Sequence, residues 1–362
     1  MKKIILVGPS NKFASGISYF TISLSNALSQ KYQMRVILLR DLLPKFLFPG
    51  SKRVGKKISN FKFNEQVKVY DGIDWYWFPS LFRSLKELRK GDYIILQWWT
   101  SSVAHTYLFL KIWNKLLLRK KMIIEFHEVL DPFENSFLPL RLYVKVMSKL
   151  IFNNNYAYVT HSEMDKKVLL KKYNLNKKKF FVVDHGSYDN FLKKVTTKKD
   201  QNKCNILFFG LLRPYKGVEY LIEAFKELDK DKFNLTIAGE VWENYPIASH
   251  IDSTIRFIPR YLTDEEVIEE FNRADVLVLP YLRASQSGAA HIAISYGLPI
   301  IATAVGGLKE SLDKYKGTTF VKTKDSKEIV KALNRTYLRR EQRFENPHPW
   351  SKSVKQYGEV LK

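Results

Sequence analysis

Short apolar runs, each closed by a turn signal and followed by apolar positions at helical spacing, recur along this chain in two series, and that alternation constrains the fold most strongly. In the first series KIILV (residues 3–7) stops at Gly8-Pro9, and ISYFTISLSNALSQ shows helical periodicity. MRVILLR, YIILQWW, KMIIEFHEV, AYVTHSE and FVVDHG continue the strand signals. Residues 191–203 lose all apolar periodicity and read as a linker. The second series then runs through CNILFFG, a helix from Val218 to Leu228, FNLTIAGE, TIRFIP, a helix from Asp264 to Asn272, DVLVLPY, a helix near Gly288 to Tyr296, and LPIIAT. Strands that alternate with helices build a parallel sheet covered on both faces. The pattern predicts an α/β protein of two Rossmann-like domains, residues 1–190 with 347–362 and residues 191–346. The tail, 350–362, reads as one short helix placed back on the first domain.

Composition narrows the class. With 362 residues the chain is long enough for two cores, and 16 Gly and 13 Pro fit neither a fibrous nor a low-complexity protein. The single cysteine, Cys204, excludes an internal disulfide and a cysteine-based zinc cluster, which points to a reducing compartment. No segment offers the roughly 18 apolar residues of a membrane span. The apolar run Ile4–Val7 is too short for a signal peptide, so a soluble or peripheral cytoplasmic protein is expected.

The net charge of +24 is unevenly spread. Residues 1–190 hold 32 Lys and Arg against 14 Asp and Glu, and residues 191–362 hold 28 against 22. Such concentration suits an anionic partner better than general solubility does. The loop Pro49–Phe63 carries Lys52, Arg53, Lys56, Lys57 and Lys62 and is expected to be mobile. Segments 108–121 and 143–152 mix bulky apolar and basic residues at helical spacing. That mixture serves either a helix lying in a membrane interface or a core helix with a basic outer face. A nucleic-acid partner is the rival, but the basic residues are not interleaved with an aromatic platform in a known module pattern.

In open parallel sheets ligands bind beyond the carboxyl ends of the strands, so the residues just after each strand are the candidates. After the first strand, Gly8 and Gly16 flank a loop at a helix start. Their spacing departs from G-x-G-x-x-G, and no acidic residue closes the second strand at the expected place, which argues against a dinucleotide site. In GLLRPYKG, Gly210 permits close backbone approach, and Arg213 and Lys216 could neutralise a diphosphate. Ser285, Gln286, Ser287, Gly288 and Ala289 stand between a strand and a helix and can form an anion cradle. His127, beside Glu128, and His185 follow strands of the first domain; His161 does too but reads more simply as structural. Asp229-Lys230-Asp231 reads as a solvated turn.

GLLRPYKGVEYLIEAF, LTIAGE, DVLVLPY, SQSG, YGLPIIAT and VGG, with HEVLDPFE upstream, resemble the retaining GT-B glycosyltransferases of glycosyltransferase family four. The resemblance covers nearly the whole chain and is strongest from Asn205 to Glu310. It implies two Rossmann-like domains facing a central cleft, with a C-terminal helix returning to the N-terminal domain. The second domain would bind a nucleoside-diphosphate-sugar donor and the first a glycan or lipid-linked glycan acceptor. Arg213 and Lys216 would hold the donor diphosphate, with the backbone of Ser287–Ala289 on its phosphate oxygens and Gly16 at its border. His127 would contact the transferred sugar. Arg260, in FIPRY, and Glu240 would line the nucleobase pocket, and Glu128 and His185 are acceptor-side candidates. Neither a metal nor a cofactor besides the donor is implied. Contact with an anionic membrane is expected and nucleic acid is not. Two family carboxylates are replaced, at Ala284 and Ile292, and Gly210 is separated from its Arg by Leu211-Leu212. A non-catalytic sugar-binding or nucleotide-binding subunit of a glycan assembly complex is the alternative.

Overall fold

The computed structural model describes residues 1–10, 16–41, 61–74, 76–129, 138–193, 195, 202–242 and 245–362. The chain divides into two compact units, Met1–Gly186 with Trp350–Lys362, and Ser187–Pro349. The first contains β1 (Lys3–Pro9), α1 (Gly16–Ser29), β2 (Gln33–Asp41), β3 (Lys68–Asp74), α2 (Phe78–Leu88), β4 (Tyr93–Trp98), α3 (Ala104–Trp113), β5 (Lys121–Phe126), α4 (Leu138–Phe152), β6 (Ala157–Thr160), α5 (Glu163–Tyr173) and β7 (Phe180–Val182). Its strands lie in the order β3-β2-β1-β4-β5-β6-β7, and every neighbouring pair is parallel. Residues Ile4–Val7 and the whole of β4 are buried, as continuous apolar runs require in a sheet covered on both faces. The serine-rich α1 is buried almost throughout, which its hydroxyls permit by hydrogen bonding back into the helix: Ser25 donates to the Thr21 carbonyl at 2.7 Å and Ser29 to that of Asn26 at 2.8 Å.

The second unit contains β8 (Cys204–Phe209), α6 (Val218–Lys226), β9 (Phe233–Ala238), β10 (Ile255–Ile258), α7 (Asp264–Arg273), β11 (Val276–Leu279), α8 (Gly288–Ser295), β12 (Ile300–Thr303), α9 (Gly306–Leu312), β13 (Thr318–Val321) and α10 (Ser326–Tyr337). Its sheet has the order β10-β9-β8-β11-β12-β13, again parallel throughout. In both sheets the order turns where two strands, β1 and β4 or β8 and β11, send their connections to opposite sides, the arrangement that opens a crevice at their carboxyl ends. A capping box between Thr263 and Glu266 starts α7. Asp229-Lys230-Asp231 is a turn after α6 with both carboxylates exposed, Asp229 accepting the Asp231 N–H at 2.9 Å.

The last helix, α11 (Trp350–Val360), belongs to the first unit. Its Ser353 donates to the Asp184 carbonyl at 2.8 Å, Gln356 accepts the Asp184 N–H at 2.8 Å, and Tyr93 donates to the Leu361 carbonyl at 2.6 Å. Several expectations need revision. The boundary falls at Gly186/Ser187 because Ser187, Asp189 and Phe191 bond into the second unit: Ser187 N–H donates to His348 O at 3.1 Å, and Asp189 and Phe191 accept from Ser295 and Tyr296. The helix read over 108–121 ends regularly at Trp113. A wide turn over Asn114–Leu118 closes on Arg119 at φ 52°, because Lys121 must pair with Tyr93 in the sheet. Strand β2 extends to Asp41, so an acidic residue does close it, contrary to the expectation. Most of the lysine loop 49–63 lies outside the described residues, as do residues 130–134 of HEVLDPFE and most of the linker.

Candidate active site

In the first unit β4, β5, β6 and the turn after β7 deliver Gln97, Glu125, His127, His161 and His185 to the carboxyl end of the sheet. Glu125 is fully buried in β5. Gln97 Nε2 donates to its Oε2 at 2.9 Å and the Tyr357 hydroxyl of α11 donates to its Oε1. His127 Nε2 lies 3.3 Å from Oε2 and His161 Nε2 3.9 Å from Oε1. Burial pushes the Glu125 carboxyl up, but His127, His161 and the Tyr357 hydroxyl outweigh it and hold it below the usual carboxylate range. His161 is fixed by its Nδ1–H donating to the Val183 carbonyl at 3.0 Å. Burial, then the neighbouring His127, lowers it to about 4, so its imidazole is neutral at pH 7 and Nε2 carries a lone pair. The Phe20 ring of α1 packs against His127, His161 and His185 at 4.6, 5.1 and 4.6 Å and against Trp350 at 5.6 Å.

The support behind this cluster is equally specific. Gln97 Oε1 accepts from Thr21 at 2.6 Å, which orients the amide so that its NH₂ meets Glu125. A Cβ on Gly8 would stand 2.3 Å from Gln97 Oε1, so only glycine leaves the amide in place. The donor atoms of Glu125, His127 and His161 lie within 4.8 Å of one another, close enough to share a metal ion. Both carboxylate oxygens also accept protein hydrogen bonds. Glu128 is exposed at the end of this strand, and His185, buried, donates Nδ1–H to Gly186 O at 2.8 Å. Gly16 is the first residue of α1, and the loop before it, 11–15, lies outside the described residues.

In the second unit the turns after β8 and β11 are joined to each other. The Leu282 N–H donates to Tyr215 O at 2.8 Å, and Gly217, at φ 61°, sits so close to Pro280 that a Cβ would meet its carbonyl at 2.2 Å. Gly210 follows β8 at φ 141°, and its N–H donates to Ala238 O at 3.0 Å. The Lys216 ammonium lies 3.6 Å above the Tyr281 ring. The Tyr281 hydroxyl, raised to about 12 by burial, is 3.2 Å from Ser287 Oγ. Ser287 caps α8 by accepting the Ala290 N–H at 3.4 Å, leaving the N–H groups of Gly288 and Ala289 at the helix start. Ser285 precedes this cap, and Gln286 Oε1 is 3.4 Å from His291 Nε2. Arg213 stacks over Trp242 at 4.4 Å, and the Trp242 indole donates to Glu240 at 3.0 Å.

The structure thus brings Lys216 and Ser287 together through Tyr281, and Arg213 and Glu240 together through Trp242. Arg260 is otherwise engaged. Its guanidinium makes a two-point pair with Glu266, at 2.8 and 2.5 Å, beside the cap of α7. That pair holds Glu266 at about 2. Trp242, Tyr281, Glu125, Gln97 and Tyr357 escaped the motif reading. A signal existed for Glu125 alone, a carboxylate two residues before His127 in an otherwise apolar strand and therefore on the same face.

Paired parallel sheets of this order, with glycine-bearing turns and a cation pair at their carboxyl ends, define the GT-B class of fold. Residues 203–338 match the glycosyl transferases group 1 family. It is similar to the GDP-mannose:glycolipid 4-beta-D-mannosyltransferase of Xanthomonas campestris pv. campestris, 29% identical over 102 residues; the match spans 27% of this chain and only 29% of that enzyme. An uncharacterized glycosyltransferase of Methanocaldococcus jannaschii is 25% identical over 338 residues, 82% of this chain and 85% of its own length. Among solved structures, Anabaena HepE in complex with UDP-glucose superposes with a TM-score of 0.67 at 15% identity, covering 100% of this chain and 99% of that one.

Proposed function

We propose that this chain transfers a hexose from a nucleoside-diphosphate sugar to a glycan or lipid-linked glycan, retaining the anomeric configuration. The observation that carries the reading is the joined pair of turns in the second unit, which sets Lys216 and the α8 amino terminus around Tyr281. Two positive features so arranged suit a diphosphate. The solved relative holds UDP-glucose, which supports a nucleotide-sugar donor, and the Xanthomonas relative is named for a glycolipid acceptor, which supports a lipid-linked one.

In the proposed reaction an acceptor hydroxyl forms its bond to the anomeric carbon on the face from which the diphosphate departs. The hydroxyl proton passes to the departing phosphate oxygen, so no separate carboxylate base is needed. Arg213 and Lys216 stabilise the charge growing on that leaving group, a role a metal ion fills in other enzymes. His127, anchored by Glu125, contacts the transferred sugar; Glu128 and His185 serve the acceptor side. Glu240 borders the nucleobase, and Arg260, paired with Glu266, is left to contribute backbone only.

The excess of basic residues in the first unit suits contact with the anionic cytoplasmic face of a membrane. No helix among the described residues is long and apolar enough to cross one. A thermal-shift screen over UDP-, GDP- and ADP-sugars identifies the donor by its stabilisation of the folded chain. With that donor, Lys216→Ala lowers turnover by about 10²–10³-fold while the fold stays intact. Transfer at the parent rate by this variant would remove the assignment.

A further inference from the structure

At the amino end of β6, opposite the end that bears His161, the first unit holds a cavity of about 740 Å³ lined by residues of α4, α5 and the turns that follow them. Its charged lining is Arg141, Lys145, Lys149, Lys172 and Lys179, with no carboxylate among the lining residues. Two cations also make main-chain contacts, Lys172 to Val129 O at 3.2 Å and Lys179 to Asn155 O at 3.4 Å. Arg141, Lys145 and Lys149 recur every four residues and so form one stripe along α4. Leu138, Leu142, Val146 and Leu150 form the adjacent stripe and are 69, 59, 46 and 49% exposed.

Two buried polar side chains line the same cavity. Ser148 is 1% and Asn155 3% exposed, yet Ser148 Oγ and Asn155 Oδ1 have no hydrogen-bond partner. The Asn155 amide is fixed by its Nδ2 donating to Ile151 O at 2.8 Å, so Oδ1 is an acceptor waiting for a donor. Buried polar atoms left in this state are uncommon and call for a partner. An occupant that satisfies all of these groups is anionic, to meet the cations, and carries a hydroxyl, to donate to Asn155.

We propose that this cavity is a headgroup site for an anionic, hydroxyl-bearing membrane lipid of the phosphatidylglycerol kind. Its phosphate faces the α4 cations, its hydroxyls meet Asn155 Oδ1 and Ser148 Oγ, and the exposed leucine-valine stripe enters the interface beside it. A water-soluble phosphate ester would use the cavity but leave that apolar stripe in water, and the stripe is what commits the site to a lipid. The proposal deepens the membrane contact put forward above and is independent of the sugar chemistry.

Co-sedimentation with phosphatidylcholine vesicles containing phosphatidylglycerol tests it, with phosphatidylmethanol as a lipid of equal charge lacking the hydroxyls. The full chain is expected to bind the phosphatidylglycerol vesicles more tightly. Lys145→Glu with Lys149→Glu weakens that binding by about tenfold or more. Ser148→Ala reduces the preference for phosphatidylglycerol over phosphatidylmethanol. Both variants keep the parent's donor-induced thermal shift, which shows that they fold. Equal binding of the two anionic lipids by the parent chain overturns headgroup recognition. Parent-like vesicle binding by the double variant moves the membrane contact elsewhere and overturns the site alone. Failure of the parent chain to bind either vesicle overturns both the site and the membrane reading. Stabilisation by glycerol 1-phosphate without vesicle binding assigns the cavity to a soluble ligand and overturns its assignment to a lipid.

Discussion

A carboxylate in the middle of KMIIEFH must be matched by donors, and Gln97, Tyr357 and His127 match Glu125 from three elements. Glu125 acts on the proposed reaction through His127 and is therefore a positioning residue. Glu125→Gln keeps the shape but removes the charge that holds the imidazole. The expected result is a fall in kcat of about tenfold or more with donor KM little changed. A purely structural role would instead lower the melting temperature and change kcat and donor KM together. His161 gives the pH dependence of stability. Its folded value of about 4 lies below the ordinary 6.5 because burial disfavours the cation. Between those values the unfolded chain binds a proton that the folded chain does not, so stability falls as pH drops from 6.5 to 4. The slope reaches about 1.4 kcal/mol per pH unit. Denaturant titrations at pH 7, 6 and 5 should show this slope flattened in His161→Asn, and an unchanged slope in that variant would assign it to another group.

Among elements, the turn between β8 and α6 shows how a motif is built rather than merely spelled. Gly217 must take a left-handed φ of 61° and pass Pro280 without a Cβ, which fixes Lys216 one residue away over Tyr281. Gly217→Ala is expected to cost about 1–2 kcal/mol for the backbone conformation alone, with more from the contact with Pro280. Melting curves with and without donor check both consequences, lower stability and a smaller donor shift; parent-like values in both would contradict this account. The helices and strands of the GLLRPYKG and SQSG regions were legible because apolar periodicity and glycine position encode them. Strands β3 and β13 and helix α5 were less so. β3 reads KVYDGID, half polar, and is an edge strand with exposed and half-buried positions, so it lacks the run that marked its neighbours. Helix α5, EMDKKVLLKKY, buries only Asp165 and Leu169 and presents charge on most sides, so its periodicity is weak.

At the scale of the whole molecule, the doubly repeated alternation predicts two parallel sheets, and both are present in Rossmann-like order. The return of the tail to the first unit was also legible, though only through resemblance: nothing in WSKSVKQYGEVL by itself announces that Tyr357 meets Glu125. Pairings of that kind depend on side chains 232 positions apart, which no local pattern carries. Arg260 shows the converse. Its position in FIPRY suggested a ligand contact, whereas Glu266, six residues on, offers a better partner within the chain.

The placement of α11 bears on how the protein is made. Synthesis runs from the amino terminus, and the second unit, Ser187–Pro349, is complete before residues 350–362 leave the ribosome. The first unit is not. Trp350, whose indole lies where a Cβ on Gly186 would be, and Tyr357, which donates to Glu125, are made after the whole of the second unit. A nascent chain therefore carries Phe20 and the Glu125 carboxylate without two of their neighbours until α11 emerges. Emergence of α11 is the event that closes the histidine cluster, which leaves the first unit unable to finish packing ahead of the second.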